Sequence, residues 1–470
     1  MANETIFRSL SDGTDVAYAM DSIRLESDNR TITLFSSLKD TFFSQIQLPS
    51  YSGGSGSEPI AGVYNFDQYC PTANRGDCTN YLDTLLMEVL DNGGGTIKFG
   101  TGTYVFEPIS LPSNITLEGL GPGKTIFRRK INVAGLGEND SIYSCKGLFH
   151  IPAGAVNITI KGITFDGYGT LAASDDQHFQ MAPNVTFNDT NNVNAIHIDS
   201  TDASSKGDNS TTINPYRAVT GNQLADIYGD QAGTSLPNKF INIEDVIIIG
   251  FSGSGIYIGG NVTGISLRNV RLQSNKYAGI VSLGSRNQFN NIIACGNYRN
   301  GIYVGGVDDV LNNVISMYNG IGDHANSAGI YINGNRIQIS NTNSRYNYCT
   351  GININGVGTN ISAVLDSNGS MRTSEGVDTV APTAANQVPQ LSVQGSCHRI
   401  EASIHNTKHT GAIASKAFAA TVTNTIASIF LDTNAGNSNS TFNALDITGS
   451  TFNNSGESAG ATNLVTVLVK

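Results

Sequence analysis

Two clusters in this 470-residue chain hold ionisable side chains close enough for proton transfer to a bound substrate. In the first, His197 and Asp199 stand two apart and so share one face of an extended strand, with Asp202 and the inserted Asp175, Asp176 and His178 as further partners. In the second, Asp323 and His324 sit in one short stretch, and Glu375 and Asp378 in a later one. Glycosidic hydrolysis uses two carboxyl groups, about 5 Å apart in a retaining mechanism and about 6.5–9.5 Å apart in an inverting one. A β-elimination instead uses a base beside a group that neutralises a uronate, and Arg345 or Arg372 could assist Asp323 or His324 in that part. A third set offers flat rings and amides rather than acids: Tyr257, Tyr303, Tyr331, Asn333, Asn353 and Asn355. Sugar rings stack on such faces and hydrogen-bond to their rims. For both ionisable clusters the plain alternative is a solvated acidic loop.

What must position these residues is a repeat. The phrase SGIYIGG, AGIVSLG, NGIYVGG, AGIYING and TGININGV opens on Gly255, Gly279, Gly301, Gly329 and Gly351, at steps of 24, 22, 28 and 22 residues. A second apolar run precedes most copies and ends at Asn275, Asn297, Asn319 and Asn347. Two short alternating strands per coil of 22 to 28 residues, punctuated by Gly and Asn, predict a parallel β-helix. Asn tolerates left-handed backbone and its amide can reach the Asn one coil away, so the asparagines predict an internal ladder.

The repeat also assigns faces. With Ile196, Ile198, Ile256, Ile258, Ile302, Val304, Ile330 and Ile332 inside, the outer positions fall into columns. One column is the glycines, the next is His197, Tyr257, Val281, Tyr303, Tyr331 and Asn353, and the third is Asp199, Gly259, Leu283, Gly305, Asn333 and Asn355. This face reads as a trough for saccharide, as a stabilising stack across strands, or as a surface buried against another subunit. Insertions after Asp166, Asn319 and Asn368 enter at the corner before this strand and should overhang it. At ~4.8 Å per coil, Asp199 and Asp323 are roughly 19 Å apart and cannot form one pair, whereas Asp323 and Glu375 are roughly 10 Å apart before the loops bend.

Composition narrows the partners. The net charge of −11 argues against nucleic acid or an anionic membrane, and no run of about 18 apolar residues is present to span a bilayer. The N-terminus has neither a basic nor an apolar stretch of the signal-peptide kind, so synthesis without export is expected. Cys295 and Cys349 read as buried thiols beside the asparagine column, and Cys70 and Cys78, close enough in sequence to bridge, read as reduced. Asp308 and Asp309 offer carboxylates to a cation or simply to a turn. No cofactor motif and no metal-ligand spacing stand out.

Residues 1–58 lack the repeat and end in the linker-like SYSGGSGSEP, residues 59–430 carry the coils, and residues 431–470 form an Asn-, Ser- and Thr-rich β end. Leu82, Leu85, Leu86, Val89 and Leu90 have helical spacing, with Thr79 or Asn80 as N-cap and Gly93 at the end, which suits a helix that plugs the open end of the solenoid. This helix, the following GGGTIKFGTGTYVF and the strand NITLEGLG resemble the opening of pectate-lyase-like β-helix proteins, with Thr96, Gly102, Tyr104, Leu117, Gly119 and Gly121 at matching places. The resemblance implies a right-handed parallel β-helix and a superfamily of pectin-type lyases, epimerases, fructan-processing enzymes and bacteriophage tailspikes. Of these, tailspikes fit best: a homotrimeric virion tail protein, bound to other tail proteins through its N-terminal segment, that recognises host capsule or lipopolysaccharide and is a candidate depolymerase. A free-standing lyase, hydrolase or fructan-type transferase is the first alternative, and a non-catalytic adhesin-like spike the second.

Overall fold

The computed structural model describes residues 62–130, 146–152, 154–167, 193–198, 239–260, 262–320, 326–366, 368, 389–405, 418–423, 425–432 and 464–469, together with five strands between residues 5 and 47. Two compact units divide the chain at Tyr64 and Asn65. In the first, Thr5–Arg8 pairs antiparallel with Asp15–Tyr18, and Ser22–Leu25, Thr31–Ser36 and Thr41–Gln47 form an antiparallel sheet of three.

The second unit is a parallel β-helix built of two stacked sheets. A long sheet climbs through Val156–Asp166, Lys239–Ile249, Ser266–Gln273, Gln288–Cys295, Val310–Met317, Gln338–Arg345, Asn360–Asp366, Arg399–His405 and Ile426–Asp432, every pair parallel. A short sheet of ten strands stacks beside it, among them Lys146–Ile151, Val193–Ile198, Ile256–Ile258, Ile280–Ser282, Ile302–Val304, Ala328–Ile332 and Thr350–Val357. The inward positions named above are all fully buried. Strand Leu464–Val469 pairs parallel with Ile426–Asp432, so that strand continues the long sheet.

The asparagine ladder forms. Asn275, Asn297, Asn319, Asn347 and Asn368 are fully buried, and each Nδ2 from Asn275 to Asn347 donates to the Oδ1 of the next at 2.8 to 2.9 Å. Each main-chain N–H of the same four residues also donates to that oxygen, at 3.0 to 3.2 Å. A second asparagine column escaped the sequence reading. Asp245, Asn269, Asn291, Asn313 and Asn341 have left-handed backbone (φ 49 to 56) and bend each long strand at mid-length, a conformation that Asn and Asp tolerate better than most residues. The exposed side chains from Asp245 to Asn313 form a ladder of their own, Asn269 donating to Asp245 at 2.8 Å, Asn291 to Asn269 at 2.7 Å and Asn313 to Asn291 at 3.1 Å.

The first coils are filled differently. Phe66, Phe99, Tyr104, Phe106, Phe127, Phe149 and Phe165 pack as a column of tilted and edge-on rings with centroids 4.6 to 6.2 Å apart. Helix Thr79–Asp91 buries Leu82, Leu85, Leu86 and Val89. Its cap differs from expectation: Cys78 is the N-cap residue, and the Asp77 carboxylate accepts from the Thr79 N–H at 3.3 Å and its hydroxyl at 2.7 Å. Cys70 and Cys78 are free, fully buried thiols with sulfurs 3.3 Å apart, and burial pushes both upward in pKa. Cys295 and Cys349 are buried as expected, and desolvation lifts Cys295 to about 11.

Candidate functional site

The outer face of the short sheet is set by register. Ser110, His150, His197, Tyr257, Val281, Tyr303, Tyr331, Asn353 and Ser392 pair in unbroken succession, so the column read from the repeat exists and reaches two coils lower than the sequence reading took it. Asn355 stands beside it, paired with Gln394 one coil up. The glycine column has another role. Gly255, Gly279, Gly301, Gly329 and Gly351 are buried, and an added Cβ would meet both the carbonyl of the next coil and a ladder amide, for example Gly301 at 2.7 Å from Asn319 Nδ2. They are glycines because the chain passes the ladder closely, and they do not flank an open trough.

The lower half of the column carries imidazoles. His150 and His197 are 8% and 4% exposed with ring centroids 5.9 Å apart, and His197 stacks on Tyr257 at 4.6 Å and 29°. Ser110 Oγ lies 3.1 Å from His150 Nδ1. Asn194 fixes His197: its Oδ1 accepts from the Ser254 N–H at 2.7 Å, so its Nδ2 donates to His197 Nδ1 at 3.1 Å. Nδ1 of the neutral ring is therefore an acceptor, and its proton resides on Nε2. Glycine makes room for this, since a Cβ at Gly147 would stand 2.7 Å from His197 Cβ, and one at Gly253 2.6 Å from Asn194 Oδ1. Two imidazoles and a phenol stand in a row, and an imidazole can act as a general acid or base.

The upper half carries the hydroxyls and amides. Tyr303 and Tyr331 stack at 5.3 Å and 22°, Asn333 Nδ2 donates to the Tyr303 hydroxyl at 3.1 Å, and Asn355 Nδ2 donates to Asn333 Oδ1 at 3.2 Å. Asn333 and Asn355 are exposed, and Tyr303, Tyr331 and Asn353 half-buried. The Asn353 Oδ1 is buried and accepts no hydrogen bond. Tyr257 does not present an open face: it is 4% exposed and packs with Ala278, Val281, Leu283 and Tyr303. Its ring belongs with the histidines and not with the open platform.

Of the ionisable candidates, the structure brings His197 together with His150, which the sequence reading missed. Asp199, Asp323, His324 and Glu375 lie outside the described residues. The signal for His150 was present in KGLFHI, an alternating run with His at the outer position, but it lies between two stretches without the repeat. Asp308 and Asp309 part company: Asp308 pairs with Arg336 at 2.7 and 3.0 Å, and Asp309 turns inward. Burial drives the Asp309 carboxyl up to about 7 even though it accepts the Asn287 N–H at 2.8 Å and lies 3.2 Å from Ser282 Oγ. Among the described residues no cluster of His, Cys, Asp or Glu could hold a metal, and no helix is long and apolar enough to cross a membrane.

No protein-family model matches the sequence, and no curated protein matches it either. Solved structures do match by shape. The A-module of mannuronan C-5 epimerase AlgE4 from Azotobacter vinelandii aligns with a TM-score of 0.56 at 16% identity, over 86% of this chain and 95% of that one. The shared fold is a right-handed parallel β-helix. DFA-IIIase from Arthrobacter chlorophenolicus A6, solved with DFA-III, shares the fold with a TM-score of 0.54 at 13% identity, over 87% of this chain and 92% of that one. So does the full-length tailspike protein 2 of an Escherichia coli O157:H7 bacteriophage, with a TM-score of 0.53 at 11% identity over 92% of this chain and 49% of that one.

Proposed function

We propose that this β-helix binds a polysaccharide chain along the outer face of its short sheet and breaks it where the chain passes His150, His197 and Tyr257. The observation that carries this reading is the single registered column that joins stacked tyrosines and an amide chain to a buried imidazole pair. Tyr303, Tyr331, Asn333, Asn353 and Asn355 supply the ring faces and hydrogen bonds that hold sugar residues in register. His197 presents the proton on Nε2 to a glycosidic oxygen or a departing group while His150 accepts one, so the reaction class is acid–base cleavage. Asp199, two residues beyond His197 in the sequence, is the carboxylate that would join them in a hydrolytic mechanism.

In this reading the protein is a tailspike: a homotrimeric receptor-binding protein of a virion tail, attached to other tail proteins through its first unit, whose ligand is host capsule or lipopolysaccharide. The fold it shares with a tailspike, and the small strand unit that precedes the helix, support that assignment. Incubating purified protein with capsule or lipopolysaccharide and following new reducing ends and unsaturated-uronate absorbance separates the outcomes. Reducing ends without absorbance mean hydrolysis, both together mean elimination, and binding without either means an adhesin. A monomer by analytical ultracentrifugation would defeat the tailspike assignment and leave a free-standing enzyme.

A further inference from the structure

The long sheet has an outer face of its own, and in the upper coils that face is hollow. Up to Gln338–Arg345 the long strands from Lys239–Ile249 onward each bend at a left-handed residue, the last being Asn341. The next strand, Asn360–Asp366, lacks that residue: its pairing with Gln338–Arg345 slips between Ile339 and Thr342, and one position is lost at the bend. Above it Arg399–His405 pairs with Asn360–Asp366 and Ile426–Asp432 with Arg399–His405, both in unbroken register, and neither carries a left-handed residue. The change leaves a groove of about 630 Å³ across four strands.

Its lining has a consistent chemistry. Asn343, Val364, Ser403 and Phe430 succeed one another in one outward column, and Ser362, Glu401 and Ser428 in the next. Small or apolar residues between them, Ala363, Ala402 and Ile429, point inward and are buried. Phe430 is half-buried and Val364 39% exposed, so a ring and an aliphatic group stand beside hydroxyls and amides. The oxygen Asn343 Oδ1 is buried yet accepts no hydrogen bond. Glu401 is the single ionisable group among the described residues of the lining, and its carboxylate lies 3.4 Å from Arg399.

We propose that this groove is a second saccharide site, on a different sheet from the first, and that its ligand is a neutral oligosaccharide. Pyranose rings offer hydroxyl donors to Asn343 Oδ1 and the serines, and a C–H face to Phe430. A charged polymer is a poor match: among the described residues the lining offers no cation, and its one carboxylate, Glu401, is already paired with Arg399. Three inter-strand steps give the floor a length of ~14 Å, enough for a short oligosaccharide. A site of this kind would hold a chain to the helix without cutting it, and its existence does not depend on the reading of the short sheet.

Isothermal titration of the full chain with cellohexaose, maltohexaose and mannohexaose, and with hexagalacturonate as the anionic comparison, tests it. At least one neutral hexasaccharide should bind more tightly than the uronate, and Phe430→Ala should weaken that binding about tenfold, as expected for one lost ring stack. Ser403→Arg, at a half-buried outward position, blocks the same groove without opening the core and should abolish binding. Gln288→Ala, at an exposed position of the long sheet below the groove, should leave it unchanged, and Tyr331→Ala should weaken only binding on the short sheet. The proposal is overturned if no neutral probe binds, or if Tyr331→Ala removes the binding while Phe430→Ala and Ser403→Arg do not. It is also overturned if Val364→Glu dissociates an assembly seen by sedimentation, because a second copy would then occupy the groove.

Discussion

The two halves of the short sheet's outer column occupy the same register on the same scaffold, yet they have opposite character. Below, His150, His197 and Tyr257 are 8%, 4% and 4% exposed and touch one another. Above, Tyr303 and Tyr331 are half-buried, and the amides of Asn333 and Asn355 reach solvent. The backbone does not explain the difference, because the strands pair without a break between the halves. Side-chain identity at one position per coil accounts for it: the rings of His150, His197 and Tyr257 pack on one another, and Tyr257 is closed over by Ala278, Val281 and Leu283. A coil stack therefore lets a buried row of imidazoles and an open row of rings and amides be placed on one line without altering the core.

If the halves divide the labour in this way, substitutions should separate them. The largest effect is expected from His197→Ala, which should lower kcat about 10³-fold with little change in KM. His150→Ala should resemble it, and Tyr331→Ala should not. Equal losses from all three in kcat would erase the distinction between the halves.

A rung of the buried ladder should affect both halves together. The side chain of Asn319 accepts from Asn297 N and Nδ2 and donates to Ala294 O, Ser316 Oγ and Asn347 Oδ1. Asn319→Ala leaves the Asn297 N–H buried without its acceptor and removes a donor from Ser316 Oγ, at a cost of about 3 kcal/mol, measurable by denaturant titration. A stability change below ~1 kcal/mol would show that the column is ornamental.

The next effect depends on pH. Burial holds the Asp309 carboxyl at about 7 against an ordinary 3.8, so the folded state binds a proton that the unfolded chain has released. Its contribution is complete below pH ~4 and is lost as pH rises through 7, about 3 kcal/mol between pH 5 and 8. Asp309→Asn keeps an oxygen for the Asn287 N–H and an amide for Ser282, and should flatten that slope. A stability curve with the same slope in wild type and variant would refute the assignment. The smallest effect is expected of Tyr331→Ala, a loss of about tenfold in affinity for a bound oligosaccharide with kcat retained.

Much of this was readable before any coordinates. A fixed period with Gly and Asn at fixed phases dictates stacked coils, because only a parallel stack brings Asn275, Asn297, Asn319 and Asn347 into one column. Alternation then assigned the inward isoleucines and the outward tyrosines. The bend at Asn269, Asn291 and Asn313 went unseen because each eight-residue run reads as one straight strand, although those asparagines recur every 22 residues. His150 went unseen because its coil is separated from the regular block by long connections. The cover over Tyr257 depends on packing between elements distant in sequence, which alternation along one strand does not encode.

The ladder has one further consequence. In the coil from Asn319 to Asn347 the chain takes 28 residues between rungs instead of 22, yet the amide bond is 2.9 Å in both cases. The rung spacing records height along the axis and ignores the length of chain spent outside it. Whole coils can thus be added, removed or lengthened at one corner while the interior hydrogen bonds keep their phase. The protein can vary its reach along a partner in steps of one coil, as a ruler is extended by one division, without redesigning its core.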